Sequence, residues 1–550
     1  MSKSLKSIVA ALLAVLMVLG MAACAKTPAS STAPTPSGSD ASSPASDAVK
    51  SEFADYAKNG TVPLTKDDVT LKILTLYATE SVTGKTGTQK IWKWMEEQTG
   101  IKADIEEYDV ENMKTKLPLI LSGSDLPDVF LRVNFTSGDL LNYANNKKVV
   151  ALDDYIQDYG YYTKQIIEKF DYANGALKAT DGHVYGLAQF SNTQWKVAGP
   201  CINTDWLKKV GKEKPTTLEE LYEVLKAFKE QDANGNGDPN DEIPISSANL
   251  SGMQPQNAFM AFVGLAEFWP VSGTTYDDKD GEVFMTRTSD NYRYLLSWFH
   301  KCYKDGLMDP EIFSHTSDQY TEKLTSNRVG VNCDSGNFVS EKYATEFGIH
   351  GDYLVLGTEK FGDPVCGFGM PFNPNLYTIS ATCKNPELAF MYGDFMYSEE
   401  ASWLVKYGEE GVDFEWKDKE HFQTKSLGNG NSYSILNNCW LREKWAPVVL
   451  STDYNADLTQ AFYDELTSHK KNTWQNYLSF TQEETDQISM LSTDMATVID
   501  EAFVKFITGE GRDIDNDEDW NAYVKQVTDL GLDDLTKVYQ AAYDRFYGKG

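Results

Sequence analysis

The sequence predicts an α/β protein built as two large lobes. Three observations carry this. Its 550 residues exceed what one hydrophobic core usually serves. Hydrophobic residues make up 41% and charged residues 24%, the balance of a soluble globular chain. At the start of the body, short apolar or alternating runs are each followed by residues at helical spacing, and strands that alternate with helices give a largely parallel sheet.

Residues 1–24 come first and read as an export signal. Lys3 and Lys6 give a positive start, and Ile8–Met21 is an apolar stretch of signal-peptide length, too short for a mature membrane span. It ends in Leu19-Gly20-Met21-Ala22-Ala23-Cys24, small residues before a cysteine that resemble a bacterial lipobox, with Met21 where Leu is usual. Processing there makes Cys24 the lipidated first residue. A flexible tether is expected over 25–66, richest in Ser, Pro, Ala and Thr up to about Asp47, a composition that buries no core.

The body opens with Val69–Leu76, which alternates and then runs apolar, a strand. A helix over about Thr88–Gln98 stops at Gly100, and Ile101–Tyr108 is a second strand. A helix near Val110–Lys116 is expected to end or kink at Pro118. Ser122–Leu131 turns into a third strand. Further on, Thr216 or Thr217 caps a helix with Glu219 or Glu220 as reciprocal partner, and Leu218, Leu221, Tyr222, Leu225 and Phe228 form its apolar stripe. Asp280-Gly281 reads as a turn between short strands, and Thr481-x-x-Glu484 as a capping box ahead of core positions Ile488, Leu491, Met495 and Val498.

The net charge of −31 excludes a nucleic-acid partner, because such a chain repels phosphate. Apart from Cys24 the cysteines are Cys201, Cys302, Cys333, Cys366, Cys383 and Cys439; none form a C-x-x-C pair, and their pairing is not fixed by spacing.

One segment carries sharp chemistry. In Asp232–Pro244, oxygen side chains fall at loop positions 1, 3, 5 and 7 (Asp232, Asn234, Asn236, Asp238) with Gly237 at position 6, the first half of an EF-hand loop. Ca2+ takes six to eight oxygens, and the glycine permits the turn that gathers them. Position 12 is Ile243, so Asp241 and Glu242 are the nearest closing carboxylates, and Pro244 argues against an exit helix. A structural Ca2+ site is expected; an ion-free Asn/Gly/Asp turn is the competing reading. Asp513–Asp519 is equally acidic but lacks the glycine and reads as a solvated helix start.

Four stretches then resemble a known family. They are Ser122-Gly-Ser-Asp-Leu-Pro-Asp128; Asn203-Thr-Asp-Trp-Leu-Lys-Lys-Val-Gly211 with Pro215-Thr-Thr217 and the Asp232 loop; Tyr407-Gly-Glu-Glu-Gly-Val-Asp413; and Phe506-Ile-Thr-Gly509 with the last helix. Together they resemble family 1 extracellular solute-binding proteins of bacterial ABC importers, in the large lipoprotein subgroup of Gram-positive bacteria. The usual loop has one residue fewer between Gly237 and Asp241, which leaves the choice among Asp238, Asn240 and Asp241 as ligands open. The resemblance implies a two-lobed, periplasmic-binding-protein-like type 2 fold with a hinge and a central ligand cleft. Lobe 1 would begin with 67–190; lobe 2, with the calcium loop, would span 191–370; and 371–550 would return to lobe 1 with C-terminal helices shared between lobes. Crossovers fall near Tyr185–Ser191 and Pro371–Pro374.

It also implies a monomer on the extracellular face of the cell membrane, held by its lipid anchor alone, that takes a mono- or oligosaccharide to the permease subunits of an importer. A sugar needs aromatic plates for its faces and planar polar groups for its hydroxyls. Asn134, Trp195, Phe259, Trp269, Asp334, Asn337 and Trp440 are the candidates, expected as a group because single aromatics more often serve cores. No catalytic residue is assigned, since H-E-x-x-H, G-x-S-x-G, P-loop and dinucleotide fingerprints are absent from the sequence. The competing readings are the same fold binding a peptide or another nutrient, a surface adhesion or sensor role, and an extracellular carbohydrate-active enzyme with two carboxylates about 5 to 10 Å apart.

Overall fold

The computed structural model describes residues 50–549 apart from 78–85, 134, 170–172, 191–199, 239, 249–258, 267–273, 334–336, 369–371, 417–420, 425–432, 434–447, 450–455 and 473. Two main sheets organise these residues. In the first, Ile101–Tyr108, Val69–Leu76, Val129–Leu131, Phe372–Ile379 and Leu187–Phe190 lie side by side in that order. Val69–Leu76 pairs in parallel with Ile101–Tyr108 along its whole length, and with Val129–Leu131 on its other side. The return strand Phe372–Ile379 is antiparallel to both of its neighbours.

The crossover between the first two strands is the helix Lys90–Thr99, which buries Ile91, Trp92, Met95 and Thr99 on one face. It ends at Gly100, φ +77°, where a Cβ would stand 2.3 Å from the Thr65 carbonyl oxygen. Only glycine fits both the left-handed turn and the close approach. The next helix does not end at its proline: Val110–Ser122 runs through Pro118. The proline removes one hydrogen bond, but the last turn is kept because Leu121 is 5% exposed in the core.

In the second sheet Gly351–Tyr353, Cys201–Asn203, Val329–Asn332 and Ile243–Ser246 lie in that order, the last two parallel. The helix Leu218–Glu230 packs behind it, capped as expected: the Thr217 hydroxyl accepts from the Glu220 N–H, and the Glu220 carboxylate accepts from the Thr216 N–H. The Asp280-Gly281 turn joins Tyr276–Lys279 to Glu282–Met285. Thr481 and Glu484 form the capping box of the long helix Gln482–Thr508. Its Met495, Phe503 and Phe506 share one core with Leu295 and Phe299, and Ile488, Leu491 and Val498 pack against that core. Tyr477 belongs to the core of the first sheet instead, and Phe546 touches both cores. Asn516 caps Asp517–Asp529, so the second acidic run is a helix start. Among the described residues Cys201, Cys302, Cys333, Cys366 and Cys383 form no disulfide, and the first four are buried.

The expected tether over 25–66 is too long. Ser51–Phe53 and Ala54–Asn59 are helical, and Phe53, Tyr56 and Leu64 are buried in the core of the first sheet. The Tyr56 hydroxyl donates to Asp394, a fully buried carboxylate that also accepts from the Thr163 hydroxyl and from the N–H groups of Tyr162 and Thr163. Burial pushes the Asp394 pKa up, and these four donors offset part of the cost of burying it. Three apolar side chains and one hydroxyl therefore dock this polar segment against a helix more than 330 residues away.

Candidate functional site

The Asp232 loop follows the helix whose Leu218, Leu221, Leu225 and Phe228 fix it to the second sheet. Gly235 and Gly237 have φ of +73° and +93°, the left-handed turns that fold the loop back on itself. Its side chains bond along the loop, with Asn236 and Asp238 exposed. Asn234 and Asn236 donate through their amides to Asp241 at 2.9 and 2.8 Å. The Asp232 carboxylate accepts from the Gly237 N–H, Asn234 Oδ1 from the Asn236 N–H, and Asn236 Oδ1 from the Asp238 N–H. Among the described residues no three His, Cys, Asp or Glu side chains converge on one point. Half of this oxygen set is asparagine, and the two amides hold Asp241.

Glu242 stands apart. It is 2% exposed, and neither carboxylate oxygen has a hydrogen-bond partner. Burial raises its pKa, and the nearby N–H groups of Glu242, Asn234 and Ala233, none in hydrogen-bonding geometry with it, oppose the rise. A buried carboxylate with no partner is costly unless a cation or proton meets it. Asp232, Asn234, Asn236, Asp238 and Glu242 carry side-chain oxygens of the hard kind that Ca2+ takes, with Asp238 Oδ1 accepting from the Asn240 N–H and side-chain amide. Of the two closing carboxylates expected, Asp241 is engaged by the two asparagines and lies 4.0 Å from Arg328 Nε, whereas Glu242, at position 11, accepts from neither.

Ligands of open α/β sheets sit beyond the carboxyl ends of parallel strands. In the second sheet those ends are Ser246 and Asn332. Three elements behind them hold this edge. The Ser246 hydroxyl donates to Asp309, His315 Nε2 lies 2.7 Å from the Ser247 carbonyl oxygen, and the Tyr320 hydroxyl donates to Asn332. In the first sheet the corresponding edge follows Leu131. There Arg132, φ +59°, and Asn375, φ +61°, are both left-handed, and the Arg132 N–H donates to the Leu376 carbonyl. Non-glycine residues in that region are strained, and such strain gathers at functional edges. Sequence reading missed this pair, since neither residue stands in a turn motif. Leu187–Phe190 and Phe372–Ile379, the segments at the two expected crossovers, pair with each other, with Phe372 opposite Phe190.

Of the candidate ligand residues, Asn134, Trp195, Trp269, Asp334 and Trp440 lie outside the described residues. Asn337 opens the short 3-10 turn Asn337–Val339 after the Val329–Asn332 strand; its side chain is likewise outside them. Phe259 is a correction. It is fully buried among Phe262, Trp298 and Phe299, with ring centroids 5.2 to 5.7 Å away, and serves the core rather than a ligand face.

Two main sheets, each with its own core, make up the α/β fold. The bacterial extracellular solute-binding protein family matches over residues 77–403, and the chain belongs to that family. It is 26% identical to the fructooligosaccharide ABC transporter substrate-binding protein FusA of Streptococcus pneumoniae serotype 4, over 90% of this chain and 93% of the relative. To lipoprotein LipO of Bacillus subtilis it is 24% identical, over 86% and 93%. Its fold matches an HMO binding ABC-transporter associated solute binding protein from Bifidobacterium longum infantis with a TM-score of 0.73 at 22% identity, covering 88% of this chain and 100% of that one. A FusA EF-hand mutant in complex with fructo-nystose matches with a TM-score of 0.63 at 24% identity, covering 88% and 100%.

Proposed function

We propose that this protein captures an oligosaccharide outside the cell and delivers it to an ABC importer, without turning it over. The observation that carries this reading is the 26% identity to a fructooligosaccharide-binding protein along 90% of the chain, spanning both lobes. Two lobes that close on a sugar exclude water and strengthen each hydrogen bond to it. The Asp232 loop is proposed to hold a structural Ca2+ through Asp232, Asn234, Asn236, Asp238 and Glu242. When bound, the ion supplies the positive charge that the buried Glu242 carboxylate lacks; the chain supplies the turn and the oxygens.

The test is thermal unfolding of residues 50–550 against a saccharide panel that includes kestose and nystose, with Ca2+ present. A ligand at a hundredfold excess over its Kd stabilises by about 2.7 kcal/mol, so a true ligand raises Tm clearly. Sugar recovered intact from the same samples supports binding without turnover. A panel without effect, alongside a rise with peptides, would overturn the saccharide reading.

Cys24 is proposed to carry the lipid that holds the protein at the extracellular face of the cell membrane. Cys24→Ala is expected to move the protein from the membrane fraction to the medium, read by immunoblot; unchanged membrane retention of the variant would refute the anchor.

A further inference from the structure

We propose that cation binding at the Asp232 loop orders the ligand-side edge of the second lobe through the two adjacent strands Ile243–Ser246 and Val329–Asn332. This rests on the calcium and solute-binding readings above. The loop ends at Glu242, and the next residue begins the first of these strands. Ile243 N–H donates to the Arg328 carbonyl at 2.8 Å, the first rung between them, and Arg328 Nε lies 4.0 Å from Asp241. The strands then run in parallel, Ile243 beside Val329, Ile245 beside Val331 and Ser246 beside Asn332. The Cys333 N–H closes the far end on the Ser246 carbonyl at 3.0 Å. Four residues of strand span about 13 Å, so loop and edge are the two ends of one short ribbon.

Nothing along the ribbon can absorb a shift. All eight residues are buried. Gly330, in the middle, has no spare room: a Cβ there would stand 2.6 Å from Phe228. Phe228 belongs to the helix that leads into the loop, so the elements on both sides of the loop bear on the same pair of strands. At the far end Asp309, His315 and Tyr320 fix Ser246, Ser247 and Asn332. The Glu242 carboxylate is buried at the near end without a hydrogen bond, and a cation that meets it would offset the cost of burying its charge. Close-packed interiors transmit such changes rather than dissipating them.

The experiment is amide hydrogen exchange of the wild-type chain in millimolar Ca2+ and in chelator, without sugar, after calorimetry has established whether Ca2+ binds. The expected result is exchange slowed about tenfold at Ser246–Ala248 and Asn332–Cys333, within the usual range for coupled sites. Exchange in the Val69–Leu76 strand should be unchanged, and Glu242→Gln should lose the effect while it still unfolds cooperatively. Ca2+ binding that protects only 232–242 would overturn the inference and leave the calcium site standing. No Ca2+ binding at all would overturn both.

Discussion

Glu242→Gln should abolish the Ca2+-dependent rise in Tm while leaving the protein in chelator at least as stable as the wild type. The two halves have one cause. The Glu242 carboxylate is buried with no hydrogen-bond partner, so its charge is a cost whenever no cation meets it. Glutamine keeps the shape and discards the charge that a bound cation would meet. At a hundredfold excess of Ca2+ over its Kd, the wild type gains about 2.7 kcal/mol that the variant does not.

The pH dependence has opposite signs in the two conditions. Burial raises the folded pKa of Glu242 above its ordinary value of 4.5. Without Ca2+, its contribution is therefore fully present below 4.5 and is lost as pH rises through the folded value, so wild type falls relative to Gln with rising pH. With Ca2+, which needs the deprotonated carboxylate, wild type gains on Gln over the same range. Paired melts of both proteins in Ca2+ and in chelator across this window measure it. A Gln variant that keeps the full Ca2+ increment would remove Glu242 from the ligand set.

Much of the fold is legible because its signals are local. Caps such as Thr217 with Glu220 and Thr481 with Glu484 act over three residues, and the paired strands Val69–Leu76 and Ile101–Tyr108 each show their apolar pattern within eight. The turn of the Asp232 loop is legible for the same reason, since Gly235 and Gly237 stand within it. What sequence reading misses depends on distant partners. Tyr56 docks a polar stretch only because Asp394 waits in a helix far along the chain. Phe259 has the residue type of a sugar plate, but three aromatic neighbours enclose it, two of them from the helix Asp290–Lys304. Pro118 is tolerated because Leu121 is anchored by tertiary packing. Arg132 and Asn375 are held left-handed by a strand meeting that no short window contains.

Lys323→Met should destabilise the second lobe by about 3–5 kcal/mol, the usual cost of stranding one partner of a buried ion pair. Lys323 Nζ donates to both Asp309 oxygens at 2.8 and 3.0 Å and lies 3.2 Å from His315 Nδ1, and Asp309 is 1% exposed. With the ammonium gone, Asp309 keeps the Ser246 hydroxyl, the Glu311 N–H and His315 Nδ1 at 3.4 Å, but loses its permanent countercharge. The double variant Lys323→Met with Asp309→Leu should recover much of the loss, because apolar residues of similar volume often replace a buried pair without penalty.

Acid should narrow the difference between wild type and Lys323→Met. Burial pushes the Asp309 pKa up, but the bonds from Lys323 and Ser246 outweigh it and hold the group below 3.8. Its contribution is thus present above 3.8 and is lost as pH falls through the folded value. Lys323 is raised above 10.5, because the bonds to Asp309 and Glu311 outweigh desolvation, so its share persists through neutral pH and fails only in alkali above 10.5. Urea unfolding at neutral pH and at the acid limit would measure both effects. A Lys323→Met variant as stable as wild type at neutral pH would mean that Asp309 finds its compensation elsewhere, and that Ser246 at the ligand-side edge is not held through this pair.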